Sequence, residues 1–265
     1  MADFLRDIVN IKKREVEALK AKTPITCFVG SRRLLKGVRS FKEAISTAGR
    51  VNLIAEIKKT SPSRKKGFFR KLDVVGLAKI YEENGARAIS VLTDKRFFSG
   101  NILHISEVRK TVNLPVLRKD FIIDEYQVYE SRYNGADAIL LIARILTKDQ
   151  IKSFMHLAAT IGMDSVVEVH DDIDLEKAIV AGAGIIGINN RDLGTLKVDS
   201  ENALRLTSRI PNEVIKISES GIRNNADIAA LKQKGINAVL VGTTFLEASD
   251  IGAKVREVMG EDVVS

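Results

Sequence analysis

The sequence has little cysteine and little histidine, and both shortages narrow the kinds of site to consider. Its one cysteine, Cys27, permits no disulfide within the chain and suits a reducing compartment. Its three histidines, His104, His156 and His170, are scattered, and no cysteine–histidine cluster has the spacing of a zinc site. We therefore expect no internal disulfide and no metal centre.

Long apolar runs are also missing. The longest ones are far too short to span a bilayer, which takes about 20 consecutive apolar residues. The stretch from Met1 to Arg6 does not combine a basic head with a following apolar run, so we expect no signal peptide. Together with the single cysteine, these features predict a cytoplasmic protein without a membrane partner.

Acidic residues are scarce in one part of the chain only. Residues 1–70 hold 18 lysines and arginines against 6 acidic residues, whereas residues 71–265 hold 24 against 28, and the formal net charge is +8. Such a basic excess can bind nucleic acid, steer an anionic substrate or form a solvated face. We interpret most of these lysines as a solvated face. The run Arg64-Lys65-Lys66 has the best claim to a ligand, because a Ser-Pro-Ser turn precedes it.

The chain does contain a regular alternation of short apolar runs with longer helix-like stretches. Residues 3–21 predict an amphipathic helix that ends at Thr23-Pro24, and residues 25–50 predict loop and short helix, with a helical turn at 41–45. The predicted strands are 51–57, 88–92, 115–119, 137–142, 165–168, 185–189, 214–218 and 238–241. The predicted helices between and after them are 74–84, 101–111, 124–134, 148–161, 172–181, 200–208, 224–234 and 249–259.

Eight strand–helix units predict an α/β protein with a closed (β/α)8, or TIM, barrel, which usually takes about 250 residues. Glycine follows a predicted helix at Gly85, Gly135 and Gly235, where a left-handed C-cap is favoured. An open doubly wound sheet is the alternative, but the first strand lacks its usual Gly-x-Gly-x-x-Gly turn. We expect one domain over residues 1–265, with an N-terminal helical extension at 1–50 and the barrel at 51–260.

Polar side chains end five of the apolar runs. Lys119 shares a strand face with Leu117, because side chains alternate along a strand. If that face is interior, an ammonium group lies at the rim of an apolar cavity, which is costly unless the charge is paired or used. The other strand-end groups are Glu56 with Lys58, Glu168, Asn189 and Glu219. Active sites of these barrels lie at the C-terminal strand ends, so we expect the five ends to meet there.

The charged groups indicate acid–base chemistry, with alternatives left open. Lys119 and Glu168 lie on strands that are near neighbours around a barrel, where an ammonium and a carboxylate can act as general acid and general base. The alternative is that they only neutralise each other. Glu56 and Lys58 are either a carboxylate that orients a lysine or a structural ion pair. Lys58, Lys119 and Lys216 are also candidates for forming a Schiff base with a carbonyl substrate.

Small and hydroxyl residues follow the seventh and eighth predicted strands, where such barrels often bind phosphate. Gly221 and Gly242 allow a close approach of the backbone, and Ser220 and Thr243 add hydroxyl donors. Each glycine taken alone could serve a tight turn, but both lie at the expected strand ends.

Aromatic residues end the second and third predicted units. Phe98 and Phe121 could clamp a planar ring, and ordinary core packing is the alternative for each.

Taken together, these segments resemble indole-3-glycerol-phosphate synthases, the barrel enzymes of tryptophan biosynthesis. The matching stretches are Ile54-Ala55-Glu56-Ile57-Lys58-Lys59-Thr60-Ser61-Pro62-Ser63, Ser90-Val91-Leu92-Thr93-Asp94 with Phe97-Phe98-Ser99-Gly100, Leu117-Arg118-Lys119-Asp120-Phe121-Ile122, Val167-Glu168-Val169-His170, Gly187-Ile188-Asn189-Asn190-Arg191-Asp192-Leu193 and Ser218-Glu219-Ser220-Gly221-Ile222. Six motifs in the family's order are specific, and the N-terminal helical extension also fits.

The resemblance implies a reaction and roles for residues. The substrate would be 1-(2-carboxyphenylamino)-1-deoxyribulose 5-phosphate, which would be converted to indole-3-glycerol phosphate, carbon dioxide and water without a cofactor. Lys119 matches the family's general acid and Glu168 its general base. Lys58 matches the lysine that binds the substrate carboxylate, and Glu56 the carboxylate that orients it. The remaining matches are Asn189 and Glu219 around the intermediate, Ser61, Gly221, Gly242 and Thr243 at the phosphate, Phe98 and Phe121 at the ring, and Arg191 at the cavity rim.

Two segments depart from the family pattern. The last motif reads Gly242-Thr243-Thr244 where serine usually follows the glycine, and because the hydroxyl is kept we expect phosphate binding to survive. The loop that starts at Ser61 reads Ser61-Pro62-Ser63-Arg64-Lys65-Lys66-Gly67, which is longer and more basic than usual. We therefore make no prediction for the conformation of residues 61–70.

Two further classes of function compete with the synthase. One is another phosphosugar barrel, such as a ketose isomerase or a Schiff-base aldolase. The other is a nucleic-acid-binding protein, which the basic first 70 residues favour but which no interleaving of aromatic and basic residues supports. We expect a small phosphosugar substrate, no nucleic-acid partner, and a monomer or weak homo-oligomer.

Overall fold

The computed structural model describes residues 3–35, 37–60, 73–192, 197–199 and 201–260, and its centre is a closed barrel of eight parallel strands. Each strand pairs with the next along the chain, and the last pairs with the first. The strands are β1 (Asn52–Ile57), β2 (Ala88–Leu92), β3 (Val116–Lys119), β4 (Ala138–Ile142), β5 (Asp164–Val169), β6 (Ile185–Asn189), β7 (Ile215–Glu219) and β8 (Ala238–Val241).

Helices connect the strands and flank the barrel. They are α1 (Asp3–Lys22), α2 (Phe41–Ala44), α3 (Val74–Glu83), α4 (Lys95–Phe98), α5 (Leu103–Thr111), α6 (Glu125–Tyr133), α7 (Lys148–Thr160), α8 (Asp172–Ala181), α9 (Asn202–Leu206), α10 (Asn225–Gln233), α11 (Thr243–Leu246) and α12 (Ile251–Met259). Short 3-10 turns occupy Ile25–Cys27, Arg32–Leu35 and Thr207–Arg209. Asp73, Asp124, Asp171, Asn224 and Asp250 cap the N-termini of α3, α6, α8, α10 and α12 by accepting backbone N–H bonds.

Alternation along the strands divides the apolar side chains between two cores. Ile54, Leu117 and Val166 point into the barrel, whereas their neighbours Leu53 and Val116 pack in the layer between sheet and helices. The strands are apolar on both faces because both faces are buried, as is usual for parallel sheets. The face that holds Leu117 also carries Lys119, so the interior position predicted for that lysine is confirmed.

The (β/α)8 architecture predicted from the sequence is confirmed. Each of the eight predicted strands is present with its ends within one residue of the prediction. The predicted helix 200–208 is instead α9 followed by a 3-10 turn. Helices α4 and α11 were not predicted, because each has four residues and a single turn shows no helical periodicity. Gly85, Gly135 and Gly235 have φ of 89°, 96° and 78°, as expected just past a helix.

The N-terminal extension contacts both ends of the barrel. Leu5 and Ile8 of α1, and Phe41 and Ile45 near α2, belong to the same apolar cluster as the barrel interior. At the N-terminal end of the strands, Asn52 Nδ2 donates to the Ile45 carbonyl oxygen at 3.0 Å. Because the extension shares its core with the barrel, we propose that the two form one domain.

No helix among the described residues combines the length and the apolar character that crossing a bilayer would require.

We predict that the extension is needed for the stability of the barrel. Replacing Ile45, which is fully buried, by alanine should lower the free energy of unfolding by about 2–5 kcal/mol, because it removes apolar contacts and leaves a cavity. The matched control is Ile173→Ala on α8, where the side chain is 69% exposed and the change should stay within about 0.5 kcal/mol. Urea unfolding followed by circular dichroism measures both, and equal losses in the two variants would contradict the prediction.

Candidate active site

A cavity of about 150 Å³ opens at the C-terminal ends of the strands. Its lining combines apolar side chains with polar ones, among them the charged and amide side chains that end β1, β3, β5, β6 and β7. The residues that line it are Ile8, Glu56, Lys58, Leu92, Asp94, Phe98, Lys119, Asp120, Phe121, Leu140, Ile142, Glu168, Asn189, Arg191, Glu219, Ser220, Gly221, Ile222, Leu240, Val241, Gly242, Thr243 and Thr244. The five polar strand ends predicted to converge therefore do meet in one cavity.

Lys119 lies between two buried carboxylates. Its Nζ is 3.3 Å from Glu168 Oε2 and makes a shorter ion pair with Glu219 Oε2. The side chains of Glu168 and Glu219 are 5% and 2% exposed, so little water screens these charges. The predicted meeting of Lys119 with Glu168 is present, and Glu219 completes a triad that the sequence did not specify.

A second ion pair lies on β1, next to this triad. Lys58 Nζ is 2.6 Å from Glu56 Oε1, and both side chains are largely buried. The two residues share a face because they are two apart on an extended chain. Gly242 lies against Glu56 so closely that a Cβ there would be 2.6 Å from Glu56 Oε1. Only glycine therefore fits beside this carboxylate.

The fields of these groups move their pKa values in opposite directions. Burial acts to lower the pKa of Lys119, but the surrounding carboxylates, foremost Glu219, outweigh it and hold the pKa well above its usual value. Burial acts to raise the pKa of Glu56, but Lys58 and Lys119 outweigh it and hold that pKa below its usual range. Lys119 therefore keeps its proton and Glu56 keeps its negative charge.

Glu219 behaves differently from the other acids in the cavity. Burial raises its pKa to about 7, and the nearby Glu168 adds to the rise while Lys119 opposes it. Among the described residues, Glu219 Oε1 has no hydrogen-bond partner, although the atom is buried. It lies against Gly187, where a side chain would leave it no room. A buried oxygen without a partner is expensive, and a proton shared with its neighbours is one way to lower that cost.

Asn189 joins the ends of β6 and β7. Its Oδ1 accepts hydrogen bonds from Ser220 Oγ at 3.0 Å and from the backbone N–H of Arg191 at 2.9 Å. The next residue, Asn190, donates from Nδ2 to the Ser220 carbonyl oxygen at 2.9 Å. These bonds hold Ser220 at φ 68°, which is uncommon for a residue with a side chain. The strain at Ser220 is therefore supported from β6.

The residues predicted to bind phosphate border one side of the cavity. Ser220, Gly221, Gly242 and Thr243 all line it, and Gly221 continues the left-handed backbone of Ser220 with φ 83°. A Cβ on Gly221 would be 2.9 Å from Val198 Cγ1, so glycine is required there for space as well as for φ. The resemblance also implies Ser61 at the phosphate. Ser61 and the rest of the basic loop 61–70 lie outside the described residues.

Two phenylalanines form an aromatic part of the cavity's apolar lining, called here the phenylalanine wall. The ring centroids of Phe98 and Phe121 are 6.4 Å apart with an interplanar angle of 34°, and both rings line the cavity. Phe98 comes from the short helix α4, and Phe121 is the second residue after β3. The wall is therefore built from two segments that each begin at a strand end.

The structure corrects one of the candidate Schiff-base lysines. Lys216 lies on β7 between Ile215 and Ile217, which point into the barrel, so its own side chain points outward and does not line the cavity. Lys58 and Lys119 remain as cavity lysines.

Among the cavity residues that were not predicted, two are charged, Asp94 and Asp120, and one comes from the extension, Ile8. Asp94 lies two positions beyond Leu92, the last residue of β2, so the rule that found Lys119 would have found it as well. Asp120 directly follows Lys119, and strict alternation would place it on the other face. Ile8 could not have been predicted, because the apolar periodicity of a helix does not identify the part of the protein against which that helix packs.

None of the described residues form a group of three or more histidine, cysteine, aspartate or glutamate side chains that could hold a metal ion.

Several known proteins are similar to this chain. The family model described as indole-3-glycerol phosphate synthase matches residues 5–258. The indole-3-glycerol phosphate synthase of Acetivibrio thermocellus is 49% identical over 218 residues, which are 82% of this chain and 83% of that protein. The one from Caldanaerobacter subterraneus subsp. tengcongensis is 46% identical over 260 residues, which are 97% and 99%. The crystal structure of 3-hexulose-6-phosphate synthase from Salmonella typhimurium has a TM-score of 0.65 at 14% identity, covers 79% of this chain and 97% of its own, and supports the barrel fold alone.

We predict that Glu219 makes the folded state less stable as pH rises from about 4.5 to about 7. Its pKa of about 7 exceeds the ordinary value of 4.5, so across this window the folded chain holds the proton more tightly than the unfolded chain does. The free energy of unfolding should therefore fall, by a total on the order of 3 kcal/mol from this group, and level off above about pH 7.

The variant Glu219→Gln should lose this contribution, because it has no proton to release. Glu176→Gln, an exposed change on α8 outside the cavity, should keep the slope of the unmodified protein. Urea unfolding of the three proteins at several pH values between 4 and 8 supplies the comparison. An identical pH dependence in Glu219→Gln and the unmodified protein would show that Glu219 does not titrate in this window.

Proposed function

We propose, on the premise that this chain belongs to the indole-3-glycerol phosphate synthase family, that the cavity at the strand ends is its active site. Enzymes of this family are carboxy-lyases of tryptophan biosynthesis. They close the pyrrole ring of 1-(2-carboxyphenylamino)-1-deoxyribulose 5-phosphate and release carbon dioxide and water. The observation that supports the site most directly is Lys119 held between Glu168 and Glu219 inside an apolar cavity.

The reaction forms one carbon–carbon bond, breaks another when carbon dioxide leaves, and breaks a carbon–oxygen bond when water leaves. The ring carbon that bears the carboxylate attacks the ketose carbonyl carbon, and the carbonyl oxygen takes up a proton. Carbon dioxide then leaves and returns its bonding electrons to the ring. Finally the new hydroxyl departs as water while a proton is lost from the ring system, which gives the indole. One acid and one base therefore suffice.

We propose Lys119 as the acid and Glu168 as the base. The carboxylates around Lys119 hold it fully protonated, so a donor is always in place. Proton transfer from a strongly held ammonium is still favourable once an alkoxide develops, because an alkoxide is a much stronger base than an amine. Glu168 Oε2 lies 3.3 Å from the same ammonium, so acid and base face the same reacting centre.

We assign Lys58 to the carboxylate of the substrate. Among the described residues, Lys58 is the other lysine that lines the cavity, and its ion pair with Glu56 fixes its position at the end of β1. Glu56 therefore acts through Lys58 and not on the substrate. A buried ammonium favours a bound carboxylate, and once carbon dioxide has left this attraction no longer holds the molecule.

Asn189, Glu219 and Arg191 complete the polar wall. Asn189 Oδ1 accepts from both Ser220 and Arg191, so its amide nitrogen is left to face the cavity. Glu219 positions Lys119 through their ion pair. Arg191 lies at the rim, where its charge also acts on Glu56.

The apolar wall and the glycines would hold the two ends of the substrate. Phe98 and Phe121 offer ring faces to the carboxyphenyl group. Gly221, Gly242, Ser220 and Thr243 would bind the phosphate through backbone N–H and hydroxyl groups, with Ser61 as the further candidate outside the described residues.

Location and assembly belong to the same proposal. We propose a cytoplasmic enzyme, since Cys27 is a free, exposed thiol and tryptophan biosynthesis uses soluble intermediates. We also propose a monomer or weak homo-oligomer, because one chain already supplies the acid, the base and the apolar walls that the proposed reaction needs.

We predict that Lys119→Met lowers kcat by about 10²–10⁴-fold or more, because the change removes the proton donor and keeps the apolar stem. The matched control is Lys216→Met, since Lys216 is a strand lysine with 6% exposure that points away from the cavity. Indole absorbance after addition of the carboxyphenylamino-deoxyribulose phosphate reports turnover, and circular dichroism reports folding. A folded Lys119→Met protein with a near-normal rate would rule out the acid assignment.

Borohydride treatment in the presence of the same substrate separates the synthase from a Schiff-base aldolase. An aldolase mechanism would leave substrate trapped on a lysine, whereas the proposed mechanism leaves none. Mass spectrometry of the intact chain detects the adduct.

We predict that Gly221→Ala raises KM by about tenfold or more while changing kcat less. A Cβ at this position would clash with Val198, and residue 221 has a φ of 83°, which a residue with a side chain rarely adopts. The segment that would hold the phosphate must therefore shift. The control is Gly184→Ala, because Gly184 has open space around it and no positive φ. Competitive inhibition by inorganic phosphate should weaken in Gly221→Ala in parallel with the rise in KM. Unchanged inhibition would move the phosphate site elsewhere.

A further inference from the structure

Helix α1 of the extension carries two residues that belong to the cavity region. Ile8 lines the cavity, and Lys12 lies one turn later on the same face of the helix. Lys12 is only 4% exposed, and its Nζ is 2.6 Å from Asp94 Oδ2 and 3.0 Å from Asp120 Oδ1. A surface helix has therefore placed an ammonium group beneath the cavity wall.

Burying this lysine has an electrostatic reason. The side chains of Asp94 and Asp120 are 1% and 3% exposed, and two adjacent buried carboxylates are tolerated only next to positive charge. Asp120 has a second cation, because Arg118 Nη2 lies 3.1 Å from its Oδ2. Among the described residues, Lys12 is the one cation within ion-pair distance of Asp94.

Both carboxylates hold the phenylalanine wall in place. Asp94 caps α4, since its Oδ1 accepts from the backbone N–H of Phe97 at 2.7 Å, and Phe98 is the last residue of that helix. Asp120 Oδ1 accepts from the backbone N–H of Phe121 at 2.8 Å. Lys12 thus contacts both of the side chains that anchor the two rings.

The two carboxylates that Lys12 contacts also lie close to the groups proposed to react. Asp120 follows Lys119 directly, and Asp94 and Asp120 themselves line the cavity. Without Lys12, an uncompensated negative charge at Asp94 would face a site proposed to bind a substrate that carries both a carboxylate and a phosphate.

We propose that Lys12 is a positioning residue for the reaction: its ammonium neutralises Asp94 and Asp120 and so fixes the Phe98–Phe121 wall against which the substrate ring binds. This inference rests on the function proposed above. It gives α1 a part in substrate binding in addition to its part in the barrel core.

Lys12 and Asp120 both keep their charges over the working pH range. Burial acts to lower the pKa of Lys12, but Asp120 and Asp94 outweigh it and hold the pKa above its usual value. Burial acts to raise the pKa of Asp120, but Arg118 and Lys12 outweigh it and hold that pKa well below its usual range. The contact is therefore a permanent ion pair and not a pH switch.

Lys20 provides a matched control on the same helix. Its Nζ is 2.7 Å from Asp124 Oδ2, which makes a long-range ion pair that is more exposed than that of Lys12, with side chains 36% and 26% exposed. Neither Lys20 nor Asp124 lines the cavity. A loss that comes only from weaker docking of α1 should therefore appear in Lys12→Met and, to a smaller extent, in Lys20→Met.

The test compares the kinetics of Lys12→Met, Lys20→Met and Lys12→Arg with the carboxyphenylamino-deoxyribulose phosphate. We expect Lys12→Met to lower kcat/KM by about 10²-fold, mostly through KM, because misplacing a substrate-binding wall by about 1 Å has effects of that size. Lys20→Met should stay within about twofold of the unmodified protein. Lys12→Arg, which keeps the charge, should recover about half of the loss on a logarithmic scale.

Asp94→Asn covers the case in which Lys12→Met does not fold. Asparagine is as good an N-cap as aspartate, so α4 keeps its cap while the ion pair with Lys12 is lost. We expect KM to rise about three- to tenfold with a thermal midpoint near that of the unmodified protein. Unchanged kcat and KM in Asp94→Asn, or equal effects of Lys12→Met and Lys20→Met, would overturn the inference. An unmodified protein that does not convert the substrate would instead refute the proposed function.

Discussion

Buried charge is the constraint on which the rest of the structure depends. Five titratable groups of the strand ends, Glu56, Lys58, Lys119, Glu168 and Glu219, share one cavity, which Asp94, Asp120 and Arg191 also line. Lys119 lies within ion-pair distance of both Glu168 and Glu219, so two buried carboxylates share one ammonium group. Burial raises the pKa of Glu219 and the nearby Glu168 adds to the rise, and one oxygen of the same side chain has no hydrogen-bond partner among the described residues. A proton on Glu219 lowers the cost of this arrangement.

The barrel brings these groups together by simple alternation. Four of the site residues are two positions beyond an interior apolar residue: Glu56 beyond Ile54, Lys119 beyond Leu117, Glu168 beyond Val166 and Glu219 beyond Ile217. The interior below is closed by apolar side chains, so only the last interior position of each strand can face water or a ligand. The strain at Ser220 and the glycine requirements at Gly221 and Gly242 all lie at the same level. The residues that form the barrel core and the residues proposed to carry the reaction thus lie at different levels along the barrel axis.

This separation explains how much could be predicted from the sequence. The eight strands and the polar strand ends were predictable, because both depend on periodicities of a few residues. The contacts between Lys119 and Glu219, and between Lys12 and Asp94, were not, because they join residues 100 and 82 positions apart through the curvature of the barrel. Lys216 shows the opposite error: it has the right residue type on the right strand, but it is one residue out of register for the interior. A helix such as α1 gives even less, since its charged residues look solvated until its packing partner is known.

The extension and the barrel mouth therefore form one electrostatic unit. Lys12 and Arg118 offset Asp94, Asp120 and Glu130 in a layer at the edge of the cavity, as Lys58 and Lys119 offset the glutamates within it. The two layers meet at consecutive residues, because Lys119 faces the cavity while Arg118 faces the layer between sheet and helices. A change in either layer alters the field in the other, and low dielectric makes that coupling stronger than it would be at a surface. Helix α1 is consequently bound to the barrel by the same kind of interaction that arranges the reacting groups.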